Sequence, residues 1–271
     1  ILSRVAMELR RARGNLIGAA AADTGKTFAE ADVEISEAID FAEFYPHSAG
    51  AYFRIDHIRS RGKGVGVVIS PWNFPIAITS WKIAPALAMG NTIIVKPASQ
   101  TPLTALRLGE IALEVGIPPG VLNIVPGPGS IAGEALVKHP LVRKISFTGS
   151  TENGTHLMKL AADGIKRITL ELGGKSANIV FADADREAAL NGAVWSVLGN
   201  AGQDCCARSR LLIEQSIYDE FLTDLGELFE KVKIGDPLQK ETEMGPLITK
   251  DHRNKVCGYI ETGEKEGAKL V

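Results

Sequence analysis

Short apolar runs at Val65 to Ile69, Thr92 to Val95, Leu122 to Val125, Lys144 to Phe147, Ile168 to Leu170 and Asn178 to Phe181 predict strands, because they are rich in β-branched residues and end in turn-forming ones. Between them, helical periodicity predicts helices near 75–89, 101–115, 130–138, 151–162 and 185–199. Strands that alternate with helices make a parallel sheet covered on both faces, so the fold class is α/β. In such a sheet ligands bind beyond the carboxyl ends of the strands.

Outside this core the pattern changes. The first forty-odd residues read as helices, with Leu16, Ile17 and Ala20 at helical spacing and Asp23-Thr24-Gly25 as punctuation. Over 51–63, Tyr52, Phe53 and Ile55 alternate with polar residues and predict a protruding strand suited to joining subunits. Past Cys206, Ile217, Phe221, Leu225 and Leu228 form one face of an amphipathic helix. The uncharged stretch from Gly64 to Trp81 is long enough to imitate a membrane span, but Pro71, Asn73 and Pro75 interrupt it, and it reads as a buried strand entering a turn.

Composition narrows the function. With 30 Lys and Arg against 32 Asp and Glu, the 271-residue chain has a net charge of −2, which gives no electrostatic basis for binding nucleic acid or an anionic membrane. Its 3 cysteines are too few for a disulfide framework, which points to a reducing, cytoplasmic setting. Ile1-Leu2-Ser3-Arg4 reads as the inside of a helix and lacks the pattern of a signal peptide, so the chain is expected to be an internal segment.

Two residues suit covalent catalysis followed by hydrolysis: Glu171, at a strand end, and Cys205, in a small polar loop after a helix. A lone cysteine is more often an inert buried hydrophobe, which is the reading for Cys257. Glu171 taken alone reads as a partner for Lys166, Arg167 or Lys175. The turn Gly127-Pro128-Gly129-Ser130-Ile131-Ala132-Gly133 follows a strand and opens a helix, as a phosphate cradle does, although its third glycine falls one residue late for a standard dinucleotide fingerprint.

Four segments in order, Pro71-Trp72-Asn73-Phe74-Pro75, Phe147-Thr148-Gly149-Ser150-Thr151, Glu171-Leu172-Gly173-Gly174-Lys175 and Asn200-Ala201-Gly202-Gln203-Asp204-Cys205-Cys206, resemble the aldehyde dehydrogenase superfamily. The resemblance runs the length of the chain. It implies a Rossmann-like parallel-sheet dinucleotide-binding domain over 1–173, then part of an α/β catalytic domain over 174–271. It further implies oxidation of an aldehyde to a carboxylic acid with NAD or NADP. Cys205, in the family's Gly-Gln-x-Cys motif, would be the nucleophile, Asn73 an oxyanion donor and Glu171 the base for hydrolysis. The dinucleotide would contact Ile69, Ser70, Pro71, Trp72, Lys96, Ala98, Ser99, Gly129, Gly133, Phe147, Gly149, Ser150, Leu172 and Gly173. No metal is implied, and a homodimer or homotetramer is expected.

Two departures from the family pattern matter. Ser99 stands where many NAD-preferring members have a glutamate, which opens the site to NADP. The chain also ends before the family's Glu-x-Phe-Gly-Pro segment, so by itself it is expected not to turn over. Asp204 and its surroundings are similar to dehydrogenases of betaine aldehyde and aminoaldehydes, while Asp23-Thr24-Gly25-Lys26-Thr27 is similar to the glutamate semialdehyde branch. Three other readings stand beside the main one: a CoA-acylating enzyme, against which Glu171 argues; a cysteine hydrolase, for which no histidine occupies a partner motif; and a non-catalytic member of the fold.

Overall fold

The computed structural model describes residues 1–271 and comprises two compact units, Ile1–Asp23 with Ala31–Gly173, and Thr24–Glu30 with Gly174–Val271. In the first unit β1 (Val65–Ile69), β2 (Thr92–Lys96), β3 (Leu122–Ile124), β4 (Val142–Gly149) and β5 (Arg167–Leu172) form one five-stranded sheet in the order β3-β2-β1-β4-β5. Every neighbouring pair is parallel. The expected α/β class and parallel sheet are therefore present, with β4 longer than its apolar run.

The helices of this part of the chain are α1 (Leu2–Arg11), α2 (Arg13–Thr24), α3 (Phe28–Phe53), α4 (Ala77–Ala88), α5 (Leu103–Glu114), α6 (Glu134–Lys138) and α7 (Thr151–Ala162). Side-chain alternation decides which of them covers which face. Val67 and Ile69 of β1 pack with Val137 of α6 and Leu157 of α7. Val68, one residue out of phase, packs with Leu9, Leu16, Ile35, Ile83 and Leu108 on the other face. Burying each such side chain stabilises the fold by about 1.5–3 kcal/mol, so a one-residue slip of β1 would invert both layers.

The chain winds from β1 outward to β3, then crosses back to β4 on the other side of β1. At that reversal the connections leaving β1 and β4 diverge, which opens a crevice at their carboxyl ends. Carboxylates fix the loops around it. Asp23 Oδ2 accepts the Leu103 N–H at 3.1 Å, at the start of α5. Glu34, 1% exposed on α3, accepts the N–H groups of Ile76 at 2.8 Å and Ala77 at 3.1 Å, and so holds the end of the 71–75 turn where α4 begins.

The second unit contains the parallel pair β6 (Ala177–Val180) and β7 (Arg210–Ile213), with α8 (Arg186–Leu198), α9 (Tyr218–Glu230) and α10 (Lys250–Lys265). Val180, Leu190, Val194, Phe221 and Leu225 make its core. The leucine-rich β7 lacks the β-branched signature and was not foreseen.

Two expectations are corrected. Residues 51–63 form no strand: α3 continues to Phe53, and 54–63 has no regular structure. A strand needs a ladder for its backbone N–H and C=O groups, and no strand pairs with this segment; Tyr52, Phe53, Ile55 and Ile58 are exposed. Cys257 is likewise not buried but exposed on α10, a helix that buries none of its residues.

Replacing Glu34 with Ala strands two buried backbone donors, and leaving each such donor unsatisfied costs about 1–3 kcal/mol. The Glu34→Ala variant is expected to unfold several degrees below the parent in a thermal melt. An unchanged midpoint would show that the α4 terminus does not depend on this carboxylate.

Candidate functional site

A cavity of about 550 Å³ opens at the carboxyl ends of β1, β2 and β4. Ile69, Ser70, Pro71 and Trp72 enter its wall as the chain leaves β1, and Lys96, Ala98 and Ser99 as it leaves β2. Phe147, Gly149 and Ser150 come from the end of β4, and Gly129 and Gly133 from the turn before α6, which is wound as a π-helical turn over Gly129–Gly133. Of the fourteen positions expected to contact a dinucleotide, twelve thus line one cavity; Leu172 and Gly173 line no part of it. Ser130 and Thr148, from the two turns singled out in the sequence, also line the wall, while sequence reasoning missed Gln100, Glu134, Asn153, His156 and Leu157.

The chemistry of this wall is that of a site for an anionic, hydroxyl-bearing ligand. Ser70 Oγ and Thr148 Oγ1 are buried without a hydrogen-bond partner, a state whose cost a ligand hydroxyl or phosphate would remove. Lys96 is 5% exposed, and burial holds its ammonium below the ordinary lysine range. The N-terminus of α7 faces the cavity through Gly149, Ser150 and Asn153, with Ser150 Oγ accepting the Asn153 N–H at 3.2 Å; the helix dipole there favours negative charge. Glu134, the acidic side chain in this wall, is paired with the Lys138 ammonium at 2.7 Å and hydrogen-bonded to His156 Nε2 at 2.9 Å. Ser99 Oγ donates to Gly127 O at 3.3 Å.

Asn73 and Glu171 belong to the same unit as this cavity but do not line it. Asn73 is half-buried in the 71–75 turn. Glu171, opposite Thr148 in the β4–β5 register, opens into a second cavity of about 450 Å³ with Trp81, Lys82, Ser146 and Thr169. The salt bridge with Lys166 is not formed, because that ammonium is bound to the carbonyls of Val137 at 2.5 Å and His139 at 2.6 Å.

Lys82 is a further charged residue that the sequence reading passed over. Its ammonium lies 4.9 Å from the Trp81 ring centre and donates to Ser146 Oγ at 3.3 Å. Burial lowers its pKa, the charge of Glu171 raises it, and that of Lys144 lowers it again, with burial prevailing. The available signal was that Lys82 is the charge ending the uncharged run from Gly64 to Trp81.

Cys205 belongs to the second unit, in the loop between α8 and β7. Before it, Asn200 and Ala201 both have φ of 55°, a left-handed conformation costing about 1–3 kcal/mol per non-glycine residue unless the surroundings enforce it. They do: Asn200 Nδ2 donates to Gln203 O and Gln203 Nε2 to Asn200 O, each at 3.0 Å, while Gln203 Oε1 accepts the Ile248 N–H at 2.9 Å.

The two thiols differ. Cys206 donates to Asp204 Oδ1 at 3.2 Å, and this bond, with burial and the carboxylate's charge, pushes its pKa up to about 11. Cys205, half-buried, is also pushed above the ordinary thiol range, first by burial and then by Asp204, against weaker help from Cys206 and its own backbone N–H. Asp204, Cys205 and Cys206 place a carboxylate and two thiols within 4.8 Å of one another.

A five-stranded parallel sheet in this order, with a polar cavity at the strand reversal, defines a doubly wound α/β protein whose cavity lies where such sheets bind their ligands. More specifically, the chain belongs to the aldehyde dehydrogenase family, whose profile matches residues 1–271. It is 42% identical over 280 aligned positions to betaine aldehyde dehydrogenase of Bacillus subtilis, covering 100% of this chain and 57% of that one. Cytosolic aldehyde dehydrogenase 1 of Mus musculus is 46% identical, covering 100% and 56%. The crystal structure of a betaine aldehyde dehydrogenase point mutant from Staphylococcus aureus in complex with NAD+ superposes with a TM-score of 0.96 at 38% identity, covering 100% and 57%. The chain thus spans about half the length of the relatives it matches. No helix is long and apolar enough to cross a membrane.

Because the Asp204 carboxylate opposes ionisation of both thiols, Asp204→Asn is expected to lower both pKa values. The pH profile of iodoacetamide labelling, followed for each cysteine by peptide mass, should move to lower pH, and further for Cys206, whose raised pKa is caused first by its bond to Asp204. A profile that stays put or moves upward would contradict this electrostatic account.

Proposed function

We propose that the enzyme containing this chain oxidises a small aldehyde to the carboxylic acid with NAD or NADP. The observation that carries the reading is the cavity in which Ser70 and Thr148 bury hydroxyls without partners beside the buried ammonium of Lys96, within a chain of the aldehyde dehydrogenase family that carries Asn73, Glu171 and Cys205. On this reading the first unit is the dinucleotide-binding domain and the second the start of the catalytic domain. The complete enzyme is a cytoplasmic homodimer or homotetramer.

Lys96 and Ser99 would hold the adenosine ribose side of the dinucleotide, and the α7 N-terminus with the Gly129–Gly133 turn its phosphates. Cys205 Sγ adds as thiolate to the aldehyde carbon, and the resulting thiohemiacetal oxyanion is met by the Asn73 side-chain N–H and the Cys205 backbone N–H. When bound, the dinucleotide supplies the two-electron acceptor for the hydride that leaves this carbon. A thioester on Cys205 remains. Glu171 takes a proton from water as the oxygen attacks the thioester carbonyl, and the carboxylic acid departs as Cys205 is released. Hydrolysis by Glu171, rather than transfer to CoA, makes the enzyme non-acylating. The relatives named for betaine aldehyde make that aldehyde, with aminoaldehydes, the first to assay and glutamate semialdehyde the second.

Rapid mixing of aldehyde and cofactor with the complete enzyme tests the roles. Cys205→Ala is expected to abolish reduction of the nicotinamide, and Cys206→Ala to retain a substantial part of it. Glu171→Gln is expected to give one stoichiometric burst followed by very slow turnover. Activity in Cys205→Ala, or steady-state turnover in Glu171→Gln as fast as in the parent, would remove the corresponding assignment.

Cofactor choice follows from Ser99. Like charges about 4 Å apart near a protein surface repel by up to about 4 kcal/mol before screening, so a serine in place of a carboxylate lifts the main barrier to a 2′-phosphate. NADP is expected to be used at least comparably to NAD, and Ser99→Glu to raise the KM for NADP strongly while leaving that for NAD nearly unchanged. A wild-type kcat/KM favouring NAD by about a hundredfold, worth about 2.7 kcal/mol, would refute the argument.

A further inference from the structure

The segment Thr24-Gly25-Lys26-Thr27 has no place in the cavity or the chemistry above, yet residues Thr24–Glu30 belong to the unit that carries Cys205. Gly25, at φ 77°, fits tightly there: a Cβ on it would lie 2.9 Å from the Pro246 ring, and one on Gly245 would lie 2.1 Å from Gly25 O. This contact seats the start of α3. There Thr27 and Glu30 form a reciprocal helix cap, with the Thr27 N–H and hydroxyl donating to Glu30 Oε2 at 2.9 and 3.0 Å and the Glu30 N–H reaching Thr27 Oγ1 at 3.4 Å.

The cap uses only one carboxylate oxygen. The other, Oε1, accepts the backbone N–H of Asn200 at 2.7 Å. This is a charge-assisted bond of the short, strong kind, made to the left-handed residue that starts the turn into Gly202-Gln203-Asp204-Cys205. Asn200 is buried, and its side chain and carbonyl are locked to Gln203, which is tied in turn to Ile248. A displacement at Asn200 therefore passes to Gln203 and into the backbone that carries Cys205. Without a fixed acceptor at its N–H, the strained Asn200–Ala201 pair loses an anchor from outside the turn.

We propose that Glu30 is a positioning residue for Cys205, holding the Asn200–Gly202 turn so that the thiol is presented in one geometry. The proposal rests on the reading of Cys205 as nucleophile. It separates two functions of one side chain: Oε2 caps a helix, and Oε1 sets the nucleophile loop.

The test is the burst of reduced nicotinamide in the complete enzyme. Misplacing a reacting group by about 1 Å can cost about a hundredfold, so Glu30→Ala is expected to slow the burst at least about tenfold. The KM for aldehyde and the dissociation constant of the dinucleotide should stay within about threefold, since the loss is in geometry and not in binding. Glu30→Gln, a neutral acceptor shared between two donors, should fall in between. Thr27→Ala removes the cap but leaves Oε1 in place, and should lower the melting temperature while keeping the burst within about twofold. A burst within about twofold of the parent in Glu30→Ala, or in Glu30→Gln where the alanine variant does not fold, overturns the proposal, as does equal slowing by Thr27→Ala. A burst that survives in Cys205→Ala overturns it differently, by removing the nucleophile itself.

Discussion

Strand β1 is the constraint from which the first unit follows. It is hydrogen-bonded to β2 on one edge and β4 on the other, and its side chains feed both core layers, Val67 and Ile69 into one and Val68 into the other. A strand enclosed on four sides has one workable register. Its exit is consequently fixed as well, and Ser70, Pro71 and Trp72 leave it at the one place in the sheet where neighbouring connections part. The cavity is thus the space that a reversal of strand order leaves at the carboxyl edge.

Polar groups accumulate where the chain leaves this apolar frame. Ser70 follows β1, Lys96 ends β2, and Thr148 lies near the end of β4, so each is carried inward by its strand. Burial of unpaired hydroxyls and an ammonium opposes folding, and the core packing around β1 is what makes that burial tolerable. The same logic explains the carboxylates of α3. Glu34 and Glu30 each use a helix as a rigid mount from which to hold backbone N–H groups far away in sequence, Glu34 those that open α4 and Glu30 that of Asn200.

Such devices mark the limit of what the sequence discloses. The strands were legible because a parallel strand buried on both faces must be a short β-branched run, and most of the cavity wall because the residues after those strands must line it. Asn153 and His156 were missed because they face the cavity from one side of an otherwise ordinary helix, and Lys82 because a single lysine does not reveal that it is half-buried beside a tryptophan ring. The 51–63 segment misled because alternation marks a half-buried strand only where a partner strand exists. Nothing in Thr24-Gly25-Lys26-Thr27 shows that it seats against Gly245 and Pro246, since that contact depends on chain folding across more than two hundred residues.

The resting electrostatics of Cys205 bear on how the proposed chemistry would begin. A thiol raised by burial and by Asp204 is a poor nucleophile at neutral pH, because only the thiolate attacks. The same surroundings protect it: the thiolate is also the form that oxidants and adventitious electrophiles modify, and Cys206, held as a neutral thiol near 11, is quieter still. A loop with this character keeps its sulfur placed but dormant, and leaves ionisation to whatever charge or base the substrate complex brings. Placement then becomes the larger share of what the loop itself contributes, which is why two residues are kept in a left-handed conformation ahead of the thiol, with Asn200 bonded to Glu30 and Gln203, and Gln203 tied in turn to Ile248. Strain retained so close to a reactive group, and balanced by contacts from remote parts of the sequence, is stability exchanged for geometry.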